Sequence, residues 1–178
     1  SRGSSAPSTG TGSTWDEGVR VLMLATAYAG RRSPMEGVAD RLRRNGDDVD
    51  MVLVEVRPAR PGRSPLDRLP GLCANWLTAV RAATARKRYD CIMADTSPPL
   101  AFAPLAARAR LRKERLVLLH WDLFPQNVAA FGIRAPRPAL RAIGAGTRWL
   151  ARQADAHSTL SPAMAETLGA ALGPDARI

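Results

Sequence analysis

The feature of this sequence that most constrains its fold is an alternation of short, continuous apolar runs with longer segments of helical apolar spacing. The first run, residues 19–25, is apolar at nearly every position. Such a run is expected of a strand buried on both faces of a parallel sheet. Strands that alternate with helices predict a parallel sheet with helices on both faces. We therefore expect an α/β domain of three layers with a mostly parallel sheet.

The alternation also predicts where the elements lie. We expect strands at 19–25, 49–56, 91–94, 116–119 and 156–160, and helices that begin at Ser33-Pro34, Leu66, Leu100, Pro138 and Ser161-Pro162. Asn45-Gly46 and Gly173-Pro174 are typical helix ends. Residues 1–18 are rich in Ser, Gly, Thr and Pro, which predicts a flexible leader outside a domain of residues 19–178.

Composition narrows the class of protein. No apolar run approaches the roughly 20 residues of a membrane-spanning helix, and no signal peptide is apparent, so we expect a cytoplasmic protein. A net charge of +10 suits nucleic acid, an anionic membrane or phosphate-bearing substrates. Cys73 and Cys91 form no metal-binding pattern with the two histidines. We expect two buried thiols and no metal.

Ligands of such folds bind at the carboxyl ends of the strands, which draws attention to three loops. The first, 26–32, lacks both the GxGxxG and the P-loop patterns, so a dinucleotide cofactor is not expected. Arg31 and Arg32 precede a helix start there and could bind an anion. Equally, they could be two solvated side chains.

The second and third loops carry more polar chemistry. Ser97 follows the third strand, where it could meet a sugar or simply cap a helix. His120, Trp121 and Asp122 follow the fourth strand. These groups could bind sugar hydroxyls in a cleft, with the indole as an apolar platform. They could also be structural, with Trp121 in the core and Asp122 capping a turn.

Three motifs in these loops carry a resemblance to a known family. They are Asp95-Thr-Ser-Pro-Pro-Leu100, then Trp121-Asp-Leu-Phe-Pro-Gln-Asn-Val-Ala-Ala-Phe-Gly132, then Arg152-Gln-Ala-Asp-Ala156 with Leu160-Ser-Pro-Ala-Met164. Together they resemble family 4 retaining glycosyltransferases, in particular the bacterial surface-polysaccharide branch. The resemblance implies one Rossmann-like half of a two-domain GT-B fold, in which the amino-terminal domain takes the acceptor.

The resemblance also implies roles for single residues. Asp122 and His120 would be the catalytic residues beside the acceptor hydroxyl. The implied acceptor-binding residues are Tyr28, Ser97, Trp121, Phe124, Gln126 and Asn127, and the phosphate-binding residues are Gly30, Arg31 and Arg32. A nucleotide-sugar would be the donor substrate, without a cofactor or metal. The acceptor would be a saccharide, possibly linked to a polyprenyl phosphate.

The sequence departs from the family pattern in two ways. The family's Gly-Gly pair before the first helix is reduced to one glycine, in Ser33-Pro-Met-Glu-Gly-Val38. The chain also ends at Ile178, before the donor-domain motif of the family. We therefore expect an acceptor domain that needs a separate or missing donor-binding domain for activity. The alternative is a non-catalytic module that binds a lipid phosphate or a partner protein.

The predicted helix that begins at Leu66 indicates which kinds of partner the chain could bind. Its apolar stripe contains Leu72, Trp76 and Leu77, and basic residues flank it, including Arg81 and Arg86. Such a helix could lie on an anionic membrane. It could also pack on the sheet with a solvated basic face, which is what we expect. Nucleic acid is not an expected partner, because no binding motif accompanies the charge.

Overall fold

The computed structural model describes residues 18–28, 31–56, 69–97, 100–123 and 136–178. Within these ranges strands and helices alternate. The strands are β1 (Arg20–Tyr28), β2 (Asp48–Val56), β3 (Cys91–Asp95), β4 (Arg115–His120) and β5 (Ala156–Thr159). The helices are α1 (Pro34–Arg44), α2 (Leu69–Thr84), α3 (Ala103–Arg112), α4 (Arg137–Ala151) and α5 (Pro162–Leu172).

The five strands form one sheet in the order β2-β1-β3-β4-β5, and every neighbouring pair is parallel. The expected Rossmann-like α/β architecture is thereby confirmed. The chain moves outward from β1 in one direction to β2 and in the other direction to β3. In open parallel sheets this change of direction opens a crevice at the carboxyl ends of the two strands.

Helices cover the sheet on both faces, which gives two hydrophobic clusters. The larger cluster joins the sheet residues Leu22, Ile92 and Leu118 to buried residues of α2, α3, α4 and α5. The smaller cluster joins Met23 and Leu119 to α1, through Met35 and Ala39. Neighbouring residues of one strand therefore supply different clusters, because successive side chains of a strand point to opposite faces.

The ends of α1 follow the local sequence. The Ser33 hydroxyl accepts a hydrogen bond from the backbone N–H of Met35 at 3.3 Å. The Glu36 carboxylate accepts one from the backbone N–H of Ser33 at 2.9 Å, which completes a capping box. The helix ends at Asn45, and Gly46 follows with a φ of +94°. This is the end that the sequence predicts.

A buried ion pair joins the amino-terminal edge of the sheet to two helices. The Arg108 guanidinium donates to both carboxylate oxygens of Glu114, at 2.6 and 2.8 Å. It also donates to the backbone carbonyls of Ala82, Ala85 and Lys87, at 3.0, 3.0 and 2.5 Å. One guanidinium thus ties the end of α2 and the turn after it to the end of α3.

Helix α2 packs on the sheet as expected, but the expectation that its apolar stripe forms the contact was wrong. The helix packs on the sheet through small residues such as Ala79 and Ala82, which belong to the larger cluster. Leu72, Trp76 and Leu77 face solvent instead, with 51% of Trp76 exposed. Small side chains allow a helix to approach a sheet closely, and here they, not the larger ones, form the contact. Cys73 is exposed on the same helix and Cys91 is only partly buried, so the expectation of two buried thiols was also wrong.

In the part of the chain that the structure describes, no helix is long and apolar enough to cross a membrane.

Candidate functional site

The carboxyl ends of β1, β3, β4 and β5 bring polar side chains together at one edge of the sheet. Thr26 lies near the end of β1, Asp95 ends β3, and His120 ends β4. Because β1 and β3 are neighbours at the point where the chain changes direction, Thr26 and Asp95 lie at the expected crevice. We refer to this end as the carboxyl edge of the sheet.

Asp95 is the central group of the carboxyl edge. Only 3% of this residue is exposed, and its carboxylate accepts a hydrogen bond from the backbone N–H of Ser97 at 2.9 Å. The hydroxyl of Thr26 donates to the backbone carbonyl of Ser97. These contacts fix the start of the loop that follows β3 against the end of β1.

The pKa of Asp95 is raised to about 6, mainly by burial and to a smaller extent by the nearby charge of Asp122, while hydrogen bonds from Ser97 and Thr26 act in the opposite direction. A carboxyl group with such a pKa changes protonation close to neutral pH, as general acids and bases do. Perturbed carboxyl groups of this kind concentrate in functional sites.

On the neighbouring strands β4 and β5, two histidines form a buried pair. The Nε2 atom of His120 lies 3.0 Å from the Nδ1 atom of His157, and the ring centroids are 5.2 Å apart. On the other side of the His120 ring, Nδ1 lies 3.5 Å from the Thr96 hydroxyl. That hydroxyl is in turn 3.3 Å from the backbone carbonyl of Leu119. A chain of hydrogen bonds therefore runs from β5 through β4 to the loop after β3.

Both histidines are held in the neutral form. Burial lowers the pKa of His120 to about 4, with a further contribution from His157. Burial also lowers the pKa of His157. At pH 7 one of the two facing nitrogens carries a proton and the other accepts it. The pair can orient neighbouring groups, but it does not supply a positive charge.

The structure separates the two predicted catalytic residues. His120 is buried and held by His157 and Thr96, whereas Asp122 is only partly buried. Trp121, between them, packs against the smaller hydrophobic cluster, and Leu123 packs against the larger one. Asp122 is therefore the more exposed of the two side chains, and the catalytic roles of both residues stay predictions.

The predicted anion site at Arg31 and Arg32 has a competing carboxylate. Both arginines are exposed, and the Nε atom of Arg32 lies 3.5 Å from the Glu36 carboxylate. Glu36 and Ser33 already accept hydrogen bonds at the amino end of α1. A phosphate at this end would have to compete with Glu36, and the phosphate-binding role stays a prediction.

Several predicted site residues can be placed only in part. Tyr28 is the last residue of β1, and Ser97 is partly buried beside Asp95. The side chain of Tyr28 lies outside the described part of the structure, as do Gly30, Phe124, Gln126 and Asn127. Their acceptor- and phosphate-binding roles remain predictions. In the described ranges, no group of three His, Cys, Asp or Glu side chains could hold a metal ion.

Sequence reasoning assigned no role to Thr26, Asp95, Thr96 and His157, which the fold brings to the same edge. A signal was present for two of them. Asp95 directly follows an apolar strand, where an ionisable side chain is unusual. His157 is the other of the two histidines in the chain and lies in a predicted strand. Thr26 and Thr96 gave no signal of their own.

Comparison with known proteins agrees with this architecture. The model of the family described as "Glycosyl transferase 4-like domain" matches residues 17–178. Among solved structures, the chain is similar to a Listeria monocytogenes protein described as a UDP-N-acetylglucosamine 2-epimerase, with a TM-score of 0.54 and 10% sequence identity. The match covers 89% of this chain and 43% of the other. No match was found among curated proteins.

At this identity the structural likeness shows the fold alone, which is one half of a GT-B fold. This chain spans less than half the length of the solved protein that it matches.

Proposed function

Because the chain belongs to the glycosyl transferase 4-like domain family, we propose that it is the acceptor-binding domain of a glycosyltransferase. In this proposal a sugar passes from a nucleotide-sugar to a saccharide acceptor with retention of configuration. The acceptor is a saccharide linked to a polyprenyl phosphate, and a second domain binds most of the donor. The observation that carries the proposal is the family match across residues 17–178.

The geometry of the carboxyl edge supports a division of roles. Asp122 is a partly buried carboxylate that follows the end of β4, and we assign it the contact with the acceptor hydroxyl. His120 is a positioning residue, since its two ring nitrogens face His157 and Thr96. Asp95, with a pKa raised to about 6 by burial, is a second carboxyl group that can hold or release a proton near neutral pH.

Positioning and electrostatics are the expected contributions of such a site. Retaining transfer can proceed with the donor phosphate assisting the acceptor hydroxyl, and the protein then holds the two reactants in line. Ser97 and Trp121 are the described residues that we assign to the acceptor sugar. The free thiols of Cys73 and Cys91 fit a reducing compartment, and we propose the cytoplasm, at the inner face of a membrane.

A binding titration tests the proposal. The chain is titrated with common sugar nucleotides, with polyprenyl-phosphate-linked sugars in detergent, and with the same saccharides free in water. We expect binding of the acceptor saccharide, weakened about tenfold or more by Asp122→Asn, since a hydrogen bond to a charged group contributes about 1.5–3 kcal/mol. The matched control is Asp90→Asn, at the opposite edge of the sheet, which should leave acceptor binding unchanged.

Two outcomes would contradict the proposal. Tight binding of sugar nucleotides without acceptor binding would reverse the division of labour between the two domains. Absence of binding to both classes would favour the alternative, a non-catalytic module that binds a lipid phosphate or a partner protein.

A further inference from the structure

Helix α4 and the residue that caps its carboxyl end present a row of arginines. Arg137, Arg141, Arg148 and Arg152 are spaced by four, seven and four residues. At 3.6 residues per turn, these positions fall within an arc of about 60° and extend over about 22 Å. No acidic residue occurs from Pro136 to Ala154, so the row has no counter-charge on its own helix.

The arginine row faces solvent. All four side chains are exposed, while the core-facing side of α4 is formed by Gly144, Thr147, Leu150 and Ala151. Among the residues that the structure describes, none of the four arginines takes part in an ion pair. Their positive charge is therefore free to attract an anionic partner.

Large apolar side chains are also exposed on α4 and on two other helices that pack on the same face of the sheet. Trp149, next to Arg148 on α4, is 63% exposed. Leu72, Trp76 and Leu77 of α2 are also exposed, and Leu111 of α3 is 84% exposed. The three helices pack on one face of the sheet, because their buried residues belong to the same cluster. We call their solvent-facing side the three-helix surface.

We propose that the three-helix surface docks on an anionic lipid bilayer. The arginine row would lie at the level of the lipid phosphates, where each basic residue strengthens binding through the surface potential. Trp76 and Trp149 would occupy the interface, which tryptophan prefers. The exposed leucines of α2 and α3 would enter the boundary of the acyl chains.

The leucines favour a bilayer over nucleic acid. A single-stranded nucleic acid is bound by basic grooves and by aromatic rings that stack on bases. Leu72, Leu77 and Leu111 provide no stacking surface, but in a bilayer each would bury apolar area. A surface that combines arginines, tryptophans and leucines therefore complements lipid headgroups and acyl chains together.

The inference rests on the proposed function in one respect. A polyprenyl-linked acceptor stays in a bilayer, so the domain that binds it would have the bilayer as its partner. The three-helix surface is defined by charge and exposure on the helices, independently of the carboxyl edge. The test therefore uses vesicles that contain no saccharide and no polyprenyl lipid.

Co-sedimentation with vesicles tests the inference. The chain is mixed with vesicles of phosphatidylcholine alone, or with vesicles containing one third phosphatidylglycerol. We expect binding to the anionic vesicles only, weakened about 30-fold by the double substitution R141Q/R148Q. The matched control is R41Q/R44Q, which removes the same charge from exposed arginines of α1, on the other face of the sheet. A single Leu77→Ser tests the apolar contribution without a change of charge.

The outcomes separate the possibilities. Loss of binding in R141Q/R148Q but not in R41Q/R44Q supports the three-helix surface, and a reduction by Leu77→Ser supports its apolar part. Equal weakening by both double variants, or no binding to anionic vesicles, would overturn the inference. Binding of a single-stranded oligonucleotide that requires Arg141 and Arg148, without vesicle binding, would overturn it in favour of nucleic acid. Vesicle binding without acceptor binding in the titration would contradict the proposed function alone.

Discussion

At the amino-terminal edge of the sheet the buried charges are paired, whereas at the carboxyl edge they are pushed toward their neutral forms. Arg108 and Glu114 have side chains only 1% and 3% exposed, and they form two charge-assisted hydrogen bonds. Asp95, His120 and His157 are also buried, yet none of them has an oppositely charged partner among the described residues. Burial therefore raises the pKa of Asp95 and lowers that of both histidines.

This contrast indicates that the ionisable groups at the amino-terminal edge stabilise the fold, whereas those at the carboxyl edge can serve in binding or catalysis. At the amino-terminal edge, hydrogen bonds from Lys87 and Tyr89 lower the pKa of Asp50, and that carboxylate stays ionised. At the carboxyl edge the native structure disfavours the charged forms of Asp95 and His120. The fold therefore loses stability at a pH high enough to ionise Asp95 or low enough to protonate His120. Such a compromise is typical of functional sites in folded proteins.

The largest expected effect is at the amino-terminal edge. Arg108→Met would leave Glu114 buried without its ion-pair partner and would remove the hydrogen bonds of Arg108 to the carbonyls of Ala82, Ala85 and Lys87. We expect the free energy of unfolding to fall by about 3–5 kcal/mol. Urea denaturation measures this change. The double variant Arg108→Met/Glu114→Leu should recover part of the loss, and a loss below about 1 kcal/mol in the single variant would contradict the contrast between the two edges.

The second effect concerns His120 and has a defined pH window. Its pKa is lowered from 6.5 to about 4, so the unfolded chain takes up a proton first as the pH falls. The stability contributed by neutral His120 is complete above pH 6.5 and is lost between pH 6.5 and 4, by roughly 3.5 kcal/mol. In His120→Gln this pH-dependent part should disappear. Urea denaturation of both proteins at pH 7.5 and pH 4.5 measures it, and parallel pH profiles would show that His120 is not buried as described.

The third effect has the opposite sign and comes from Asp95. Its pKa is raised from 3.8 to about 6, so its contribution to stability is complete below pH 3.8 and is lost as the pH rises through 6. Asp95→Asn should therefore match the wild type near pH 4 and exceed its stability at pH 7 by up to about 3 kcal/mol. The difference between the two unfolding free energies at each pH is the quantity to measure. A variant that is less stable at pH 7 would show that ionised Asp95 is well accommodated.

The smallest effect separates burial from charge pairing at the amino-terminal edge. The Arg20 side chain lies 3.6 Å from Asp90, and both side chains are about half exposed, at 50% and 53%. Arg20→Gln should change the free energy of unfolding by less than about 0.5 kcal/mol, because solvent screens exposed ion pairs. Thermal denaturation of Arg20→Gln and Arg108→Met, each compared with the wild type, measures the two losses of stability. A loss above about 1.5 kcal/mol would mean that pairing, and not burial, dominates at this edge.

Much of the fold was predictable from local signals. The continuous apolar run at residues 19–25 identified β1, and Ser33-Pro34 and Ser161-Pro162 identified the starts of α1 and α5. The sequence also placed the three polar loops after the carboxyl ends of β1, β3 and β4, and ligand binding at these loops stays a prediction. The outward face of α2 was not predictable, since an apolar stripe alone does not show which side of a helix meets the sheet. Small residues on the opposite side formed that contact.

The sequence by itself determined the alternation of strands and helices, the helix ends and the motifs that resemble the glycosyltransferase family, because each depends on residues close together in the chain. Only the tertiary structure decided which polar groups meet. The Thr26 hydroxyl reaches the carbonyl of Ser97 across 71 residues, and His120 meets His157 across 37. Strand order and register bring these groups to one edge. Burial there changes their protonation, and no local pattern in the sequence specifies either.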